Sequence, residues 1–407
     1  MTTLSKVRFE GGEADRSWRD HRPQAPVEGK HAGDYVLELF STTTYRSAME
    51  PARPRLLRKG RGAASNHDGR YEPTTRVALD DGWGCLDAEP APLCTTVALD
   101  ASRTVIAHNA SPDVPFDRSI NPYRGCEHGC VYCFARPTHA FLGLSPGQDF
   151  ETRLFAKAQA PALLAEELRR PGYRCRVIAL GTSTDPYQPI ERERRITRGV
   201  LEVLAAFNHP VGIVTKSALA VRDIDILAPM ARRRLAKVFV SVTTLDRGLA
   251  RRLEPRAPTP ARRIEAVREF AAAGIPTGVL VAPVIPALND SEIERILAAA
   301  AEAGAASASY VLLRLPLEVK DLFREWLAVH APLKAARVMQ LVRETRGGRD
   351  YEATWNTRMT GRGAYAELIA RRFDVACKRH GLGARDWSLD TTQFAPPPRT
   401  GDQLSLL

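Results

Sequence analysis

Three cysteines, Cys126, Cys130 and Cys133, fall within eight residues of the stretch Asn121-Pro-Tyr-Arg-Gly-Cys-Glu-His-Gly-Cys-Val-Tyr-Cys-Phe134. Three thiols cannot pair off as disulfides without leaving one over, so such crowding points to a metal. Soft thiolates are the usual ligands of iron–sulfur clusters, and a four-iron cluster held by only three of them keeps one iron open to another ligand. Gly125 and Gly129 permit the loop to fold back on itself, which a β-branched residue would resist. Two further readings use the same residues. Zinc would take the three thiolates with His128, although zinc cysteines usually come as two separated pairs and no second Cys-x2-Cys occurs here. Three free, buried cysteines would need three of the seven in the chain to cluster by chance.

The elements that must position this loop alternate in type from Phe116 onward. Apolar runs at 118–120, 177–180, 211–214, 238–242, 277–282 and 310–313 read as strands. Between them lie helical patterns: a helix opening at Pro161 with Leu163, Leu164 and Leu168 on one face, and one over 196–207 with Val200, Leu201, Leu204 and Phe207. Thr259 and Pro260 are expected to cap a helix over 261–273 that Gly274 ends, and Asn289 and Asp290 to cap another over 291–303. Six strand–helix units imply a parallel α/β sheet, and right-handed crossovers curl it one way. The expected fold is a partial, TIM-like (β/α)6 barrel over residues 106–315, with an open doubly wound sheet as the alternative. The cysteine loop then follows the first strand, and functional side chains belong at the carboxyl ends of the others.

Those ends carry Thr184 and Asp185, then Lys216, then Ser241. Lys216 suits a carboxylate, Asp185 or Thr184 an ammonium, and Ser241 a sugar or carboxylate, which together is what a zwitterionic amino acid joined to a ribose requires. Taken singly, each is an ordinary turn residue.

The flanks are different. Residues 1–105 form an irregular, basic extension, with a short element at 36–40, a solvated arm over 1–50 and ordered packing from Lys59, where Tyr71 and Trp83 appear. The run Arg53, Arg55, Arg58, Lys59 and Arg61 would either grip phosphates or be part of that arm. Beyond Leu315 the chain turns helical to about 390 (Leu322, Trp326 and Leu327, then 338–342, then 366–378) and is expected to close the open edge of the barrel. The tail over 391–407, with Pro396 to Pro398, is expected to be disordered. Cys85, Cys94, Cys175 and Cys377 read as packing residues.

The chain has 407 residues, 44% hydrophobic and 26% charged, with a formal net charge of +11. That surplus favours a polyanionic partner such as nucleic acid, although arginine-heavy composition alone produces the same balance. No apolar run is long enough for a membrane span, and the first residues are charged instead of forming a signal-peptide core, so a cytoplasmic monomer is expected.

From about Asn121 to Leu315 the sequence resembles the spore photoproduct lyase-like branch of the radical S-adenosylmethionine enzymes. The resemblance rests on the Cys-x3-Cys-x2-Cys spacing with Tyr132 before the last cysteine, and on Thr184-Asp185, Thr215-Lys-Ser217 and Val240-Ser-Val242. Arg263-Ile-Glu-Ala266 and Val281-Ala-Pro283 add to it. It implies a [4Fe–4S] cluster on Cys126, Cys130 and Cys133 and S-adenosylmethionine on its open iron, held by Thr184, Asp185, Lys216 and Ser241 with Tyr132 near the adenine. It also implies a reductant such as flavodoxin or ferredoxin, and reductive cleavage to a 5′-deoxyadenosyl radical that takes a hydrogen atom from a substrate, with nucleic acid among the classes. Lys59-Gly-Arg-Gly62 and Leu312-Leu-Arg-Leu-Pro316 resemble a bacterial subgroup of the branch. The hydrogen-donating cysteine of the lyase has no counterpart, since Gly181-Thr-Ser183 occupies its neighbourhood. The rival readings are a non-catalytic nucleic-acid-binding protein with a structural cluster or zinc, marked by an occupied fourth ligand position, and a radical enzyme acting on a protein or small metabolite.

Overall fold

The computed structural model describes residues 60–73, 92–383 and 387–398, all within one compact unit, Ala52–Leu407. The expected element at 36–40, the arm at 1–50, the basic residues Arg53 to Lys59, and Trp83 and Cys85 lie outside the described residues. Among those described, no helix is long and apolar enough to cross a membrane.

The described residues hold ten strands: β1 (Thr96–Leu99), β2 (Ile106–His108), β3 (Arg118–Ile120), β4 (Tyr123–Arg124), β5 (Arg153–Ala156), β6 (Ile178–Leu180), β7 (Val211–Thr215), β8 (Ala236–Ser241), β9 (Thr277–Val284) and β10 (Ser307–Leu312). The α-helices are α1 (Asp149–Thr152), α2 (Ala160–Leu168), α3 (Glu191–Arg194), α4 (Ile196–Ala206), α5 (Ile224–Arg232), α6 (Arg247–Leu253), α7 (Pro260–Ala272), α8 (Ile293–Glu302), α9 (Val319–His330), α10 (Pro332–Glu344) and α11 (Ala364–His380).

The main sheet has the order β10-β9-β8-β7-β6-β3-β2. Every neighbouring pair from β3 to β10 is parallel, and only β2 runs antiparallel, against β3. Each parallel strand sits beside the next in sequence, so no point exists where the winding reverses. This excludes the doubly wound alternative, whose strand order must switch direction. The six parallel strands form the expected partial barrel, open between β10 and the β2 edge. Ile178, Val211, Ile213, Val238, Val240, Val279 and Val281 are buried, as in a sheet covered by helices.

Several details differ from the sequence reading. Residues 92–105 carry β1, which pairs with β5 in a separate three-stranded sheet, order β1-β5-β4; runs of two to four residues are too short to show a period. Thr259 occupies the N-cap of α7, but its side chain makes no capping bond. Asn289 does not cap either. Its side chain accepts from Ile285 N at 2.6 Å and donates to Thr243 O at 2.7 Å and Pro283 O at 3.0 Å, tying the end of β9 to the loop after β8.

The chain beyond β10 is helical, as expected. α11 lies against α8, while Phe323, Trp326, Val338 and Val342 from α9 and α10 share a core with Cys130, Val131 and Tyr132. The tail expected to be disordered is docked as far as it is described. Ala395 N donates to Phe207 O at 3.1 Å, Arg169 Nη1 donates to Pro397 O at 2.6 Å, and Phe394 packs on Tyr173, Phe207 and His209. Of the other cysteines, Cys377 packs against the main core, Cys175 is half-buried and Cys94 is exposed.

Candidate active site

The cysteine loop leaves β3 and is folded by its glycines. Gly125 and Gly129 have φ of +75° and +67°, a region that side-chain-bearing residues rarely adopt. Cys126 N donates to Phe150 O at 2.9 Å, Val131 N to Leu253 O at 3.1 Å and Cys133 N to Cys130 O at 3.2 Å. Beneath the loop lies a buried ion pair absent from the sequence reading. Arg136 Nη2 stands 2.5 Å from Glu151 Oε1, and the same guanidinium donates to Cys130 O at 2.8 Å and Gly129 O at 3.2 Å. The Glu151 carboxylate also accepts from Gly62 N and Ala63 N, each at 2.9 Å. A Cβ on Gly62 would lie 1.8 Å from Gly129 O, so only glycine lets this segment reach the loop. Arg61, in the run that could grip phosphates and in the segment expected to pack from Lys59 onward, is tied down: its guanidinium donates to Glu151 O at 3.1 Å and Leu93 O at 2.5 Å.

All three cysteines line one cavity of about 240 Å³, together with Tyr132, Thr184, Asp185, Lys216 and Ser241. The loop after β3 and the ends of β6, β7 and β8 therefore converge. Burial pushes all three thiols up in pKa, Cys126 further through Asp185 and Cys130 through Glu254. Ligation must displace those protons, and a metal's positive charge supplies the drive. Among the described residues, no three His, Cys, Asp or Glu side chains converge as chelators of a single ion.

The strand-end side chains differ in what they do. Asp185 Oδ1 accepts from Thr215 Oγ1 at 2.7 Å and Tyr187 N at 2.9 Å, and Oδ2 from Lys216 N at 2.7 Å. His128 Nδ1 is 3.4 Å from the same carboxylate. Burial opposes the Asp185 charge, but His128 and these donors hold its pKa below the usual value. Asp185 thus reaches its partners within the chain, and His128, the fourth ligand of the zinc reading, faces Asp185. Thr184 Oγ1 donates to Tyr123 O at 3.0 Å and braces the entry to the cysteine loop.

Lys216 Nζ donates to Ser241 Oγ at 2.8 Å and Ala282 O at 3.3 Å, and lies 3.4 Å from Glu254 Oε1. Glu254, which follows α6, was not singled out from the sequence. It is buried, pairs with Arg263 of α7, and accepts hydrogen bonds from Tyr132 Oη and, at 2.6 Å, Thr243 Oγ1. Burial works against its charge, yet Arg263 and Lys216 hold its pKa below the carboxylate range. Burial and Glu254 likewise push the Tyr132 phenol up, so Tyr132 is a neutral donor whose ring lies 5.8 Å from Lys216 Nζ. The far wall adds Phe134, Arg314 and Met359. Arg263 and Arg314 stood in recognisable motifs; nothing in the sequence signalled Glu254, because no local pattern shows which charges become buried.

A family model described as the radical SAM superfamily matches residues 120–300. The chain is also 40% identical over 232 residues to an uncharacterized protein of Mycobacterium tuberculosis (strain ATCC 25618 / H37Rv), covering 56% of this chain and 68% of that protein. The chain belongs to the radical SAM superfamily. An uncharacterized protein of Methanocaldococcus jannaschii is 27% identical over 173 residues, covering 42% of this chain and 62% of its own. A solved spore photoproduct lyase variant with bound AdoMet and dinucleoside spore photoproduct aligns over 70% of this chain and 78% of its own, at 14% identity and a TM-score of 0.49. Membership makes the protein a radical SAM enzyme and implies a [4Fe–4S] cluster and S-adenosylmethionine as cofactors. Three thiols on the wall of one cavity, two buried and Cys133 half-buried, with a lysine and hydroxyls beside them, fit that pair of cofactors.

Proposed function

We propose that Cys126, Cys130 and Cys133 hold the cluster and that S-adenosylmethionine lies beside it along the ends of β6 to β9, for hydrogen abstraction from a bound substrate. When bound and reduced, the cluster would supply one electron to the sulfonium of S-adenosylmethionine, whose C–S bond would break to give methionine and a 5′-deoxyadenosyl radical. The observation that carries this reading is the convergence of the cysteine loop with Lys216 and Ser241 in one cavity.

The chain's own groups orient and shield. Lys216 and Ser241 form the polar rim for the amino-acid part of the cofactor, and Tyr132 flanks its adenine. Asp185 and Thr184 act from behind, fixing the turn after β6 and the start of the cysteine loop. Glu254, itself held by Arg263, sets the position of Lys216. Leu280, Val311 and Leu312 supply apolar walls that keep water from a reactive intermediate. The reductant is a carrier such as flavodoxin or ferredoxin, and the compartment is the cytoplasm. A structural-cluster protein would need the open ligand position filled, and the pairing of His128 with Asp185 speaks against His128 filling it.

The experiment is anaerobic reconstitution, chemical reduction and addition of S-adenosylmethionine, with chromatographic detection of 5′-deoxyadenosine. Slow release without substrate is expected. An intact, reducible cluster that yields none would end the enzyme reading.

A further inference from the structure

Among the described residues, the charges that line the cavity are all answered except one. Lys216 faces Glu254, and Asp185 faces His128. Arg314, two residues past β10, forms no ion pair among the described residues. Its donors reach only Tyr351 Oη at 3.3 Å and Met359 Sδ at 3.5 Å, and its buried Nε has no acceptor. The neighbouring carboxylates are taken, Asp113 by Arg358 and Glu352 by Arg362. Behind it lies Arg346, whose guanidinium is spent on the carbonyls of Leu312, Leu313, Thr357 and Arg358. Burial, together with Arg314, pushes the pKa of Arg346 down to about 10. Two guanidiniums thus share a positive field that no described carboxylate meets in an ion pair, Asp113 and Glu352 acting on it only at longer range.

The second observation is an aromatic ring. Phe134 follows the last cysteine, lines the same cavity and is 46% exposed. The Arg314 guanidinium lies 5.2 Å from its centroid. A planar cation with unspent donors beside a half-exposed ring is the pairing that takes a phosphate and its neighbouring base. The net charge of +11 points to the same polyanion.

We propose that Arg314 is the substrate-anchoring residue, binding a backbone phosphate of a single-stranded polynucleotide whose adjacent base stacks on Phe134. The proposal rests on the reading of this cavity as the site of radical chemistry, and it assigns the phosphate contact to the residue that follows β10 and the stacking contact to the one that follows the last cysteine.

The test is fluorescence anisotropy of a labelled single-stranded oligonucleotide with the reconstituted full chain and S-adenosylmethionine, titrated at several salt concentrations. Arg314→Gln should weaken binding about tenfold or more and lower the salt slope by about one counterion. Arg314→Lys should keep most of the slope and lose part of the affinity, since an ammonium retains the charge but not the planar fork. Phe134→Leu should weaken binding with the slope unchanged. Unaltered iron content and melting temperature make each loss local, and if Arg314→Gln does not fold, the lysine and leucine variants decide. Wild-type slope and affinity in the arginine variants would overturn the proposal. So would Arg314-dependent capture of a labelled acidic peptide without oligonucleotide binding. A wild type that releases 5′-deoxyadenosine yet binds no oligonucleotide would overturn this assignment and leave the enzyme reading intact.

Discussion

Lys216 Nζ stands 3.4 Å from Oε1 of Glu254, joining a lysine at the end of one strand to a carboxylate 38 residues later that has almost no exposed surface. The same carboxylate neutralises Arg263, so one side chain fixes two cations from different units of the barrel. Glu254→Gln strands a buried guanidinium, and the expected loss is about 3–5 kcal/mol, as for other broken buried pairs. Lys216→Met leaves the Glu254–Arg263 pair in place and should cost less. Urea unfolding of the metal-free proteins checks the order, and equal losses would remove Glu254 from the centre of the network.

The proposed cluster ligands give the most direct prediction. Cys126→Ala, Cys130→Ala and Cys133→Ala should each abolish four-iron incorporation on anaerobic reconstitution, while Cys94→Ala, Cys175→Ala and Cys377→Ala should retain it. Iron and sulfide assays read the outcome. Stoichiometric zinc without iron would contradict it.

Gly181 follows β6 with φ of +87°, and a Cβ there would lie 1.9 Å from Val214 O. Gly172 has φ of +78° but nothing within 4 Å. Both alanine substitutions incur the left-handed penalty of about 1–2 kcal/mol, and only Gly181→Ala adds a backbone clash. Its melting temperature should fall well below that of Gly172→Ala. Equal shifts would mean that the turn carrying Thr184 and Asp185 yields easily.

His209 predicts a pH dependence of stability. It is buried, with Nδ1 at 3.1 Å from the Pro210 carbonyl and Nε2 at 2.8 Å from Tyr173 Oη. A carbonyl only accepts, so Nδ1 carries the proton and Nε2 accepts from the phenol. Burial lowers the pKa of His209 from 6.5 to about 4. Its contribution is therefore fully present above pH 6.5. It is lost as the pH falls towards 4, because the unfolded chain takes up the proton first. The full loss is on the order of 3 kcal/mol. Urea midpoints of the wild type and His209→Gln, compared at pH 7 and 4.5, should show a smaller drop in the variant. An identical drop would assign the acid sensitivity to other groups.

The cysteine spacing, the glycines that fold that loop and six apolar runs separated by helical patterns were fully legible in the sequence. Each is a local regularity: ligand spacing follows from the metal, and strand and helix periods follow from backbone geometry. Lys216 and Ser241 were legible as strand-end residues because the sequential strand order puts those ends on one rim. Other features were decided only in three dimensions. Asp185 and Thr184 bind the chain itself, Gly62 meets Gly129 across 67 residues, and Glu254 becomes the shared partner of Lys216 and Arg263. Whether a charged side chain is buried, and beside which partner, depends on crossovers that bring distant segments together, and no periodicity encodes that. Arg314 shows the division most clearly. Its place after the last strand could be read from the chain, but its lack of an ion pair among the described residues, and its position over Phe134 on the far side of the open barrel, follow only from how the sheet curls.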